Sequence, residues 1–226
     1  MLRAAALCSL VLMLAGCDKS HRTVMAPSHA KSFLALGDSY TIGESVAEAD
    51  RWPVQLAARL RSEQIDLTDP VIIAKTGWTT DELSAAIDTA KMDAKRFDLV
   101  TLLIGVNNQY RGRTSDEFRE QFNALLARAI AFASGDARRV VVLSIPDWGV
   151  TPFAEGRDRG QIAREIDLLN QIAREKTEIV GARFVDITPL SRKFPALVAD
   201  DGLHPSAKMY EHWASAAFPA AREALK

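Results

Sequence analysis

Three residues from opposite ends of this chain could together carry out acyl transfer. Ser39 ends an apolar run, Ser32-Phe-Leu-Ala-Leu-Gly-Asp-Ser39, that breaks abruptly at Gly37-Asp38. His204 and Asp201 stand near the other end, in Asp201-Gly-Leu-His204-Pro. A serine hydroxyl is a weak nucleophile until a base takes its proton. His204 can be that base. Asp201, three residues earlier with Gly202 easing the turn, can reach the same imidazole and fix its tautomer. Taken alone, Asp-x-x-His-Pro is also a helix-capping turn; beside the Gly-Asp-Ser39 strand exit the triad reading leads. His212, the other histidine of this region, falls inside a helical pattern and is not the expected base.

Such chemistry also needs donors for a developing oxyanion. Gly77, in Lys75-Thr-Gly77-Trp78, can offer an N–H with no side chain in the way. Asn107, in Gly105-Val-Asn107-Asn108, can offer its amide. Ordinary turn chemistry would also explain a glycine or asparagine at a strand end. Trp78, Tyr110 and Trp148 either line a pocket for one arm of a substrate or lid the core. Arg111 and Arg113 read as a solvated charged loop.

The elements that would position these residues are short apolar runs alternating with amphipathic stretches. Strands are expected at 32–36, 71–74, 99–104, 140–145 and 183–186, each rich in the residues of buried parallel strands. Helices are expected at 52–61, 80–89, 114–133, 162–179 and 206–225, where apolar residues recur at helical spacing. Residues 147–160 read as a long polar loop. This alternation implies βαβ units and a parallel sheet covered on both faces. Sites in such sheets lie beyond the carboxyl ends of the strands, and Ser39, Gly77, Asn107 and Trp148 each follow one.

The four blocks resemble those of the SGNH hydrolases, also called GDSL lipases and esterases. Gly-Asp-Ser39, Gly77, Gly105-Val-Asn107 and Asp201-Gly-Leu-His204 match the family's blocks in order, across residues 31–226. The resemblance implies a flavodoxin-like three-layer α/β/α sandwich with a five-stranded parallel sheet. It implies Ser39 as nucleophile, His204 as base and acid, and Asp201 as orienting carboxylate. It implies an oxyanion hole from the N–H groups of Ser39 and Gly77 and the Asn107 amide, with no metal and no organic cofactor. Asn108 departs from the Asp often found there, and Tyr40 from a common Leu. The ordinary lipase fold shares the order Ser, acid, His, but places its serine in Gly-x-Ser-x-Gly in mid-domain. The expected function is hydrolysis of carboxylic esters: short or medium acyl esters, lysophospholipids or acetylated glycans. An O-acyltransferase or a non-catalytic binding protein of the same fold is the alternative.

The bulk composition fits this reading. The 226 residues are 48% hydrophobic and 25% charged, with net charge -1. The basic residues are scattered, so no nucleic-acid partner is expected. Both cysteines, Cys8 and Cys17, lie at the N-terminus, so neither a disulfide framework nor a Cys-based metal site is available beyond them. Residues 1–16 read as a signal segment: a basic start, then an apolar stretch too short to span a bilayer comfortably. Leu14-Ala-Gly-Cys17 resembles the lipobox of bacterial lipoproteins. It implies lipidation at Cys17, a membrane anchor at the bacterial envelope, and a tether over 17–30 ahead of the domain at 31–226. Several acyl chains would anchor stably where one would not. His21 and His29, in the tether, read as solvated.

Overall fold

The computed structural model describes residues 30–226, so the expected signal segment, Cys17 and nearly all of the tether lie outside it. Five parallel strands form one sheet: β1 (Phe33–Gly37), β2 (Val71–Ala74), β3 (Leu99–Leu103), β4 (Val140–Leu143) and β5 (Arg183–Val185). Their order is β2-β1-β3-β4-β5. Every residue of β1, β3 and β4 is buried, as the continuous apolar runs require. The edge strands β2 and β5 are partly exposed.

The helices are α1 (Ser39–Ile42), α2 (Trp52–Ser62), α3 (Thr80–Ala90), α4 (Val106–Tyr110), α5 (Ser115–Phe132), α6 (Arg159–Ile179), α7 (Thr188–Lys193) and α8 (Ala207–Ala224). The long helices divide between the two faces. α2 packs on α8, and α8 on β4 and β5; α3, α5 and α6 pack side by side, α3 on β2, α5 on β3 and α6 on β4 and β5. The first layer buries Trp52, Tyr210 and Trp213, and the second buries Phe118 and Phe122. This is the expected three-layer α/β/α sandwich. The helix starts have local causes. Thr79 and Glu82 close a capping box on α3, and Pro53 sits in the first turn of α2, where its missing N–H costs nothing. Thr114, Asp158 and Ser206 cap α5, α6 and α8 through their side chains.

Two segments differ from expectation. Residues 147–160 divide in two: two 3-10 turns, Trp148–Val150 and Pro152–Ala154, fold the first part back and bury Trp148, Gly149, Thr151 and Ala154, while residues 155–160 are exposed as a polar loop should be. Asp147 drives the folding back of the first part. Its Oδ1 caps the first turn at the Gly149 N–H, 2.9 Å away, and its Oδ2 accepts from Arg192 Nε at 2.8 Å. Polar residues thus hold the buried first part of the loop, so its composition is polar although that part's environment is not. The second difference is the set of helices α1, α4 and α7, which span four to six residues each. They are too short to show a helical period.

The chain reverses direction across the sheet at β1, which pairs with β2 on one side and β3 on the other. A crevice opens at the carboxyl ends of β1 and β3, where Gly37 is in register with Leu103. Gly37 is needed there for space: a Cβ would stand 2.5 Å from the Leu103 carbonyl oxygen and closer still to Thr41 Oγ1. The carbonyl belongs to a buried strand and cannot move aside. Gly37→Ala is expected to cost about 3 kcal/mol by overpacking, read as a lower urea midpoint with an unchanged m-value. A loss under about 1 kcal/mol would show that β1 and β3 are not held as close as described.

Candidate active site

Ser39 is the first residue of α1, directly beyond β1, so its N–H has no partner within the helix. Asp38 caps α1 by accepting from the Tyr40 N–H at 3.0 Å. Asp38 is fully buried, and its Oδ2 has no hydrogen-bond partner among the described residues. Burial pushes its carboxyl up to about 7, against the hydrogen bond from the Tyr40 N–H, which favours the charged form. Tyr40 turns inward, edge-on to His204 with ring centroids 5.9 Å apart and to Trp213 at 5.8 Å. Burial, with the nearby carboxylates of Asp38, Asp147 and Asp201, raises its phenol well above the ordinary range.

His204 arrives from the loop ahead of α8. That loop winds around Asp201, whose Oδ1 accepts from the N–H groups of Leu203 and His204, both at 2.9 Å. Asp201 Oδ2 lies 2.7 Å from His204 Nδ1. The carboxylate therefore accepts from Nδ1–H and leaves Nε2 as the ring's proton acceptor. The same Oδ2 accepts from Ser45 Oγ at 2.6 Å. Burial pushes the Asp201 carboxyl up. The hydrogen bonds from Ser45, the His204 ring, and the Leu203 and His204 N–H groups outweigh this and hold it well below the usual carboxylate range.

The glycine and asparagine blocks complete the cavity. Gly77 has φ +88°, a left-handed conformation that a side chain would disfavour, and its N–H makes no hydrogen bond among the described residues. Arg111 holds this turn by donating to the Gly77 carbonyl at 2.5 Å and pairing with Glu82 at 3.0 Å. Arg111, exposed as a solvated charged loop requires, also braces this turn; Arg113 pairs with Glu117 at the surface. Asn107 Nδ2 donates to the Trp78 carbonyl at 2.9 Å, which orients the amide. Asn108 is fully buried. Its Oδ1 accepts from the Thr80 N–H and its Nδ2 donates to Thr80 Oγ1. An aspartate there could accept but not donate, so the departure at this position is matched by Thr80.

Ser39, Gly77, Asn107 and His204 line one cavity of about 200 Å³, closed by Tyr40, Thr76, Val106, Tyr110, Trp148, Phe153 and Leu203. Tyr110 and Trp148 fall on the pocket side of the alternative posed above. Trp78 does not; its ring packs against the core. Ser39 and His204 share the cavity without a direct hydrogen bond between them, as is common where no substrate draws them together. His212 lies elsewhere, stacked on Phe194 at 5.0 Å. Among the described residues, no group of three His, Cys, Asp or Glu side chains is placed to hold a metal ion, and no helix is long and apolar enough to cross a membrane.

The fold and this cavity define an α/β protein of the hydrolase kind, with a serine at the first strand exit. The sequence profile of the GDSL-like lipase/acylhydrolase family matches residues 35–212, and the chain belongs to that family. It is accordingly a hydrolase of ester bonds. No curated protein matches the chain by sequence. Solved structures share the fold. A lipase/acylhydrolase from Enterococcus faecalis superposes with TM-score 0.68 at 19% identity, covering 87% of this chain and 97% of its own. An acetylxylan esterase from Geobacillus stearothermophilus gives 0.68 at 19%, covering 85% and 94%. A psychrotrophic esterase from Pseudoalteromonas sp. gives 0.59 at 18%, covering 86% and 94%.

Ser45 belongs to no sequence block, and only the fold brings it to Asp201. Its φ of +66° is strained for a residue with a side chain. By donating to Oδ2 it draws off part of the carboxylate's negative charge. Without that hydroxyl, Asp201 should stabilise the His204 imidazolium more strongly. In Ser45→Ala the acidic limb of kcat/KM is expected to move to higher pH. If the hydroxyl only held Asp201 in place, its loss would loosen the Asp201–His204 bond and move the limb to lower pH. Ser45→Gly removes the hydroxyl and the backbone strain together, and should shift the limb in the same direction as Ser45→Ala.

Proposed function

We propose that the protein is a serine esterase working through an acyl-enzyme on Ser39. The convergence of Ser39 and the Asp201–His204 pair on one cavity with Gly77 and Asn107 carries this reading. Ser39 Oγ attacks the ester carbonyl while His204 Nε2 takes its proton. Asp201 stabilises the resulting imidazolium. The carbonyl oxygen becomes an oxyanion and is met by the N–H groups of Ser39 and Gly77 and by Asn107 Nδ2. The intermediate collapses, and the alcohol leaves with the proton held by His204. A water then gives His204 a proton and attacks the acyl-enzyme, which releases the acid and restores Ser39.

The cavity is small and mostly apolar in lining, which favours short or medium acyl chains. Lysophospholipids and acetylated glycans fit the same chemistry, and the acetylxylan esterase of like fold keeps the glycan class in view. We further propose that Cys17 is lipidated and holds the enzyme at the bacterial envelope, with residues 17–30 as its tether.

Hydrolysis of p-nitrophenyl esters from acetate to decanoate tests the chemistry. Wild type should peak at short to medium chains. Ser39→Ala and His204→Ala should lose several orders of magnitude in kcat, and Asn107→Ala about 10² to 10³. A Ser39→Ala enzyme of full activity would sink the mechanism. Transfer of the acyl group to an added sugar in preference to water would favour the acyltransferase alternative. For the anchor, Cys17→Ser should move the protein from the membrane fraction to the soluble one; unchanged fractionation would end that proposal.

A further inference from the structure

Arg157 presents the least explained charge near the cavity. It is an exposed residue on the loop between β4 and α6. Its guanidinium carbon lies 5.2 Å from the ring centroid of Tyr110, 5.3 Å from that of Trp148 and 5.3 Å from that of Phe153. The three rings pack on one another at 5.6 to 6.4 Å. All three also line the cavity that holds Ser39 and His204. Arg157 itself lines an adjoining polar cleft of about 290 Å³, which shares Tyr110 and Trp148 with that cavity.

A guanidinium held by aromatic rings is oriented through its π-system, which leaves its in-plane N–H donors available. Arg157 uses one of them, Nη2 to the Tyr110 hydroxyl at 3.3 Å. Among the described residues it makes no ion pair. Its neighbours differ: Arg111 is engaged by Glu82 and Gly77, Arg192 by Asp147 and Asp167, and Arg159 by the Thr151 carbonyl. The two acids in the polar cleft are engaged too. Glu165 accepts from Gln109 and Gln161, and Asp158 caps α6. Neither lies within ion-pair distance of Arg157. A cation is thus fixed in place beside the catalytic cavity with most of its donors unused, and a planar fork of that kind fits a carboxylate or phosphate.

We propose that Arg157 is a substrate-recognition residue and that the preferred esters carry an oxyanion, carboxylate or phosphate, a few bonds from the scissile carbonyl. This rests on the esterase reading and adds the substrate class to it. Tyr110 and Trp148, the walls the two cavities share, place the guanidinium beside the Ser39 cavity. The aromatic trio acts as the mount for the guanidinium.

Two matched pairs of esters test this with the full chain: butyryl glycerol phosphate against butyryl glycerol, and the butyryl ester of glycolate against that of ethylene glycol. In wild type, kcat/KM for at least one anionic ester should exceed that for its neutral partner by about tenfold or more, and the preference should shrink as salt rises. Arg157→Gln should lower that ratio about tenfold to a hundredfold. Arg157→Lys, which keeps the charge but not the planar fork, should restore only part of it. A preference confined to one pair supports the proposal and names the oxyanion. A wild-type ratio near one in both pairs overturns it, as does a variant that loses both members of a pair in equal proportion. If no ester is turned over at all, the esterase reading fails, and titration of tryptophan fluorescence with glycerol phosphate still decides the oxyanion site. Binding to wild type at least about tenfold tighter than to Arg157→Gln supports it; equal binding overturns it.

Discussion

The contact of Gly37 with the backbone of β3 is the constraint from which the site follows. Because no side chain separates β1 from the Leu103 carbonyl, the chain can leave β1 in a tight turn and start α1 at once. That start leaves the Ser39 N–H without a helical partner, at the crevice where the sheet reverses its winding. The turn carries a cost. Asp38 must enter the core to cap α1, and burial disfavours its anion enough to bring its carboxyl near neutrality. A buried acid with one unpartnered oxygen destabilises the fold. The same turn is what brings Ser39 to the cavity wall.

The loop just beyond α1 ties that turn to the rest of the site. Glu44 accepts from the Thr76 hydroxyl, next to Gly77, while Ser45 donates to Asp201. The Gly43 and Glu44 N–H groups donate back to the Ser39 carbonyl. Three segments that meet only in the folded chain are thus held by a few consecutive residues. The β4 loop joins from the other side, where the Phe153 N–H donates to the Gly202 carbonyl in the turn that carries His204. Positions set in this way depend on hydrogen bonds between loops rather than on the sheet alone. They therefore tolerate a strained φ at Ser45 that an unbraced loop would relax.

What the sequence reveals depends on the range of the interactions. The strands and long helices are legible because burial imposes a period of its own on consecutive residues. Ser39, Gly77, Asn107, Asp201 and His204 are legible because each sits in a short block with a local geometric reason. Ser45 and Arg157 are not. Ser45 is a polar residue in a polar loop, and its partner lies 156 positions away. Arg157 lies in a run of charged residues, and its mount is assembled from Tyr110 at the end of α4 and from Trp148 and Phe153 on the loop after β4. The burial of Asp147, Trp148, Gly149 and Thr151 is hidden for a related reason: Asp147 and Arg192 neutralise each other across 45 positions, so composition alone suggests solvent. The bracing role of exposed Arg111 is hidden because the Gly77 carbonyl it holds is a backbone group, invisible to any pattern of side chains.

The loops also divide their work. The groups proposed to make and break bonds come from the exits of β1, β2 and β3 and from the turn before α8. The aromatic wall comes from the segments after β3 and β4, as do the residues that mount Arg157, with Tyr40 added from α1. Two elements serve both parts: α1 carries Ser39 and Tyr40, and α4 carries Asn107 and Tyr110. The wall can therefore change with little disturbance to the Asp201–His204 geometry, which is set by the turn's own N–H groups. A common sheet and a common serine then place little limit on the substrate, since the part of the cavity that reads it is the part the fold constrains least. In this chain that part is aromatic with the Arg157 cation at its edge, the arrangement on which the proposed selection by charge rests. An apolar arm is held through buried area alone, and an oxyanion through direction and distance, so the second gives the sharper selection.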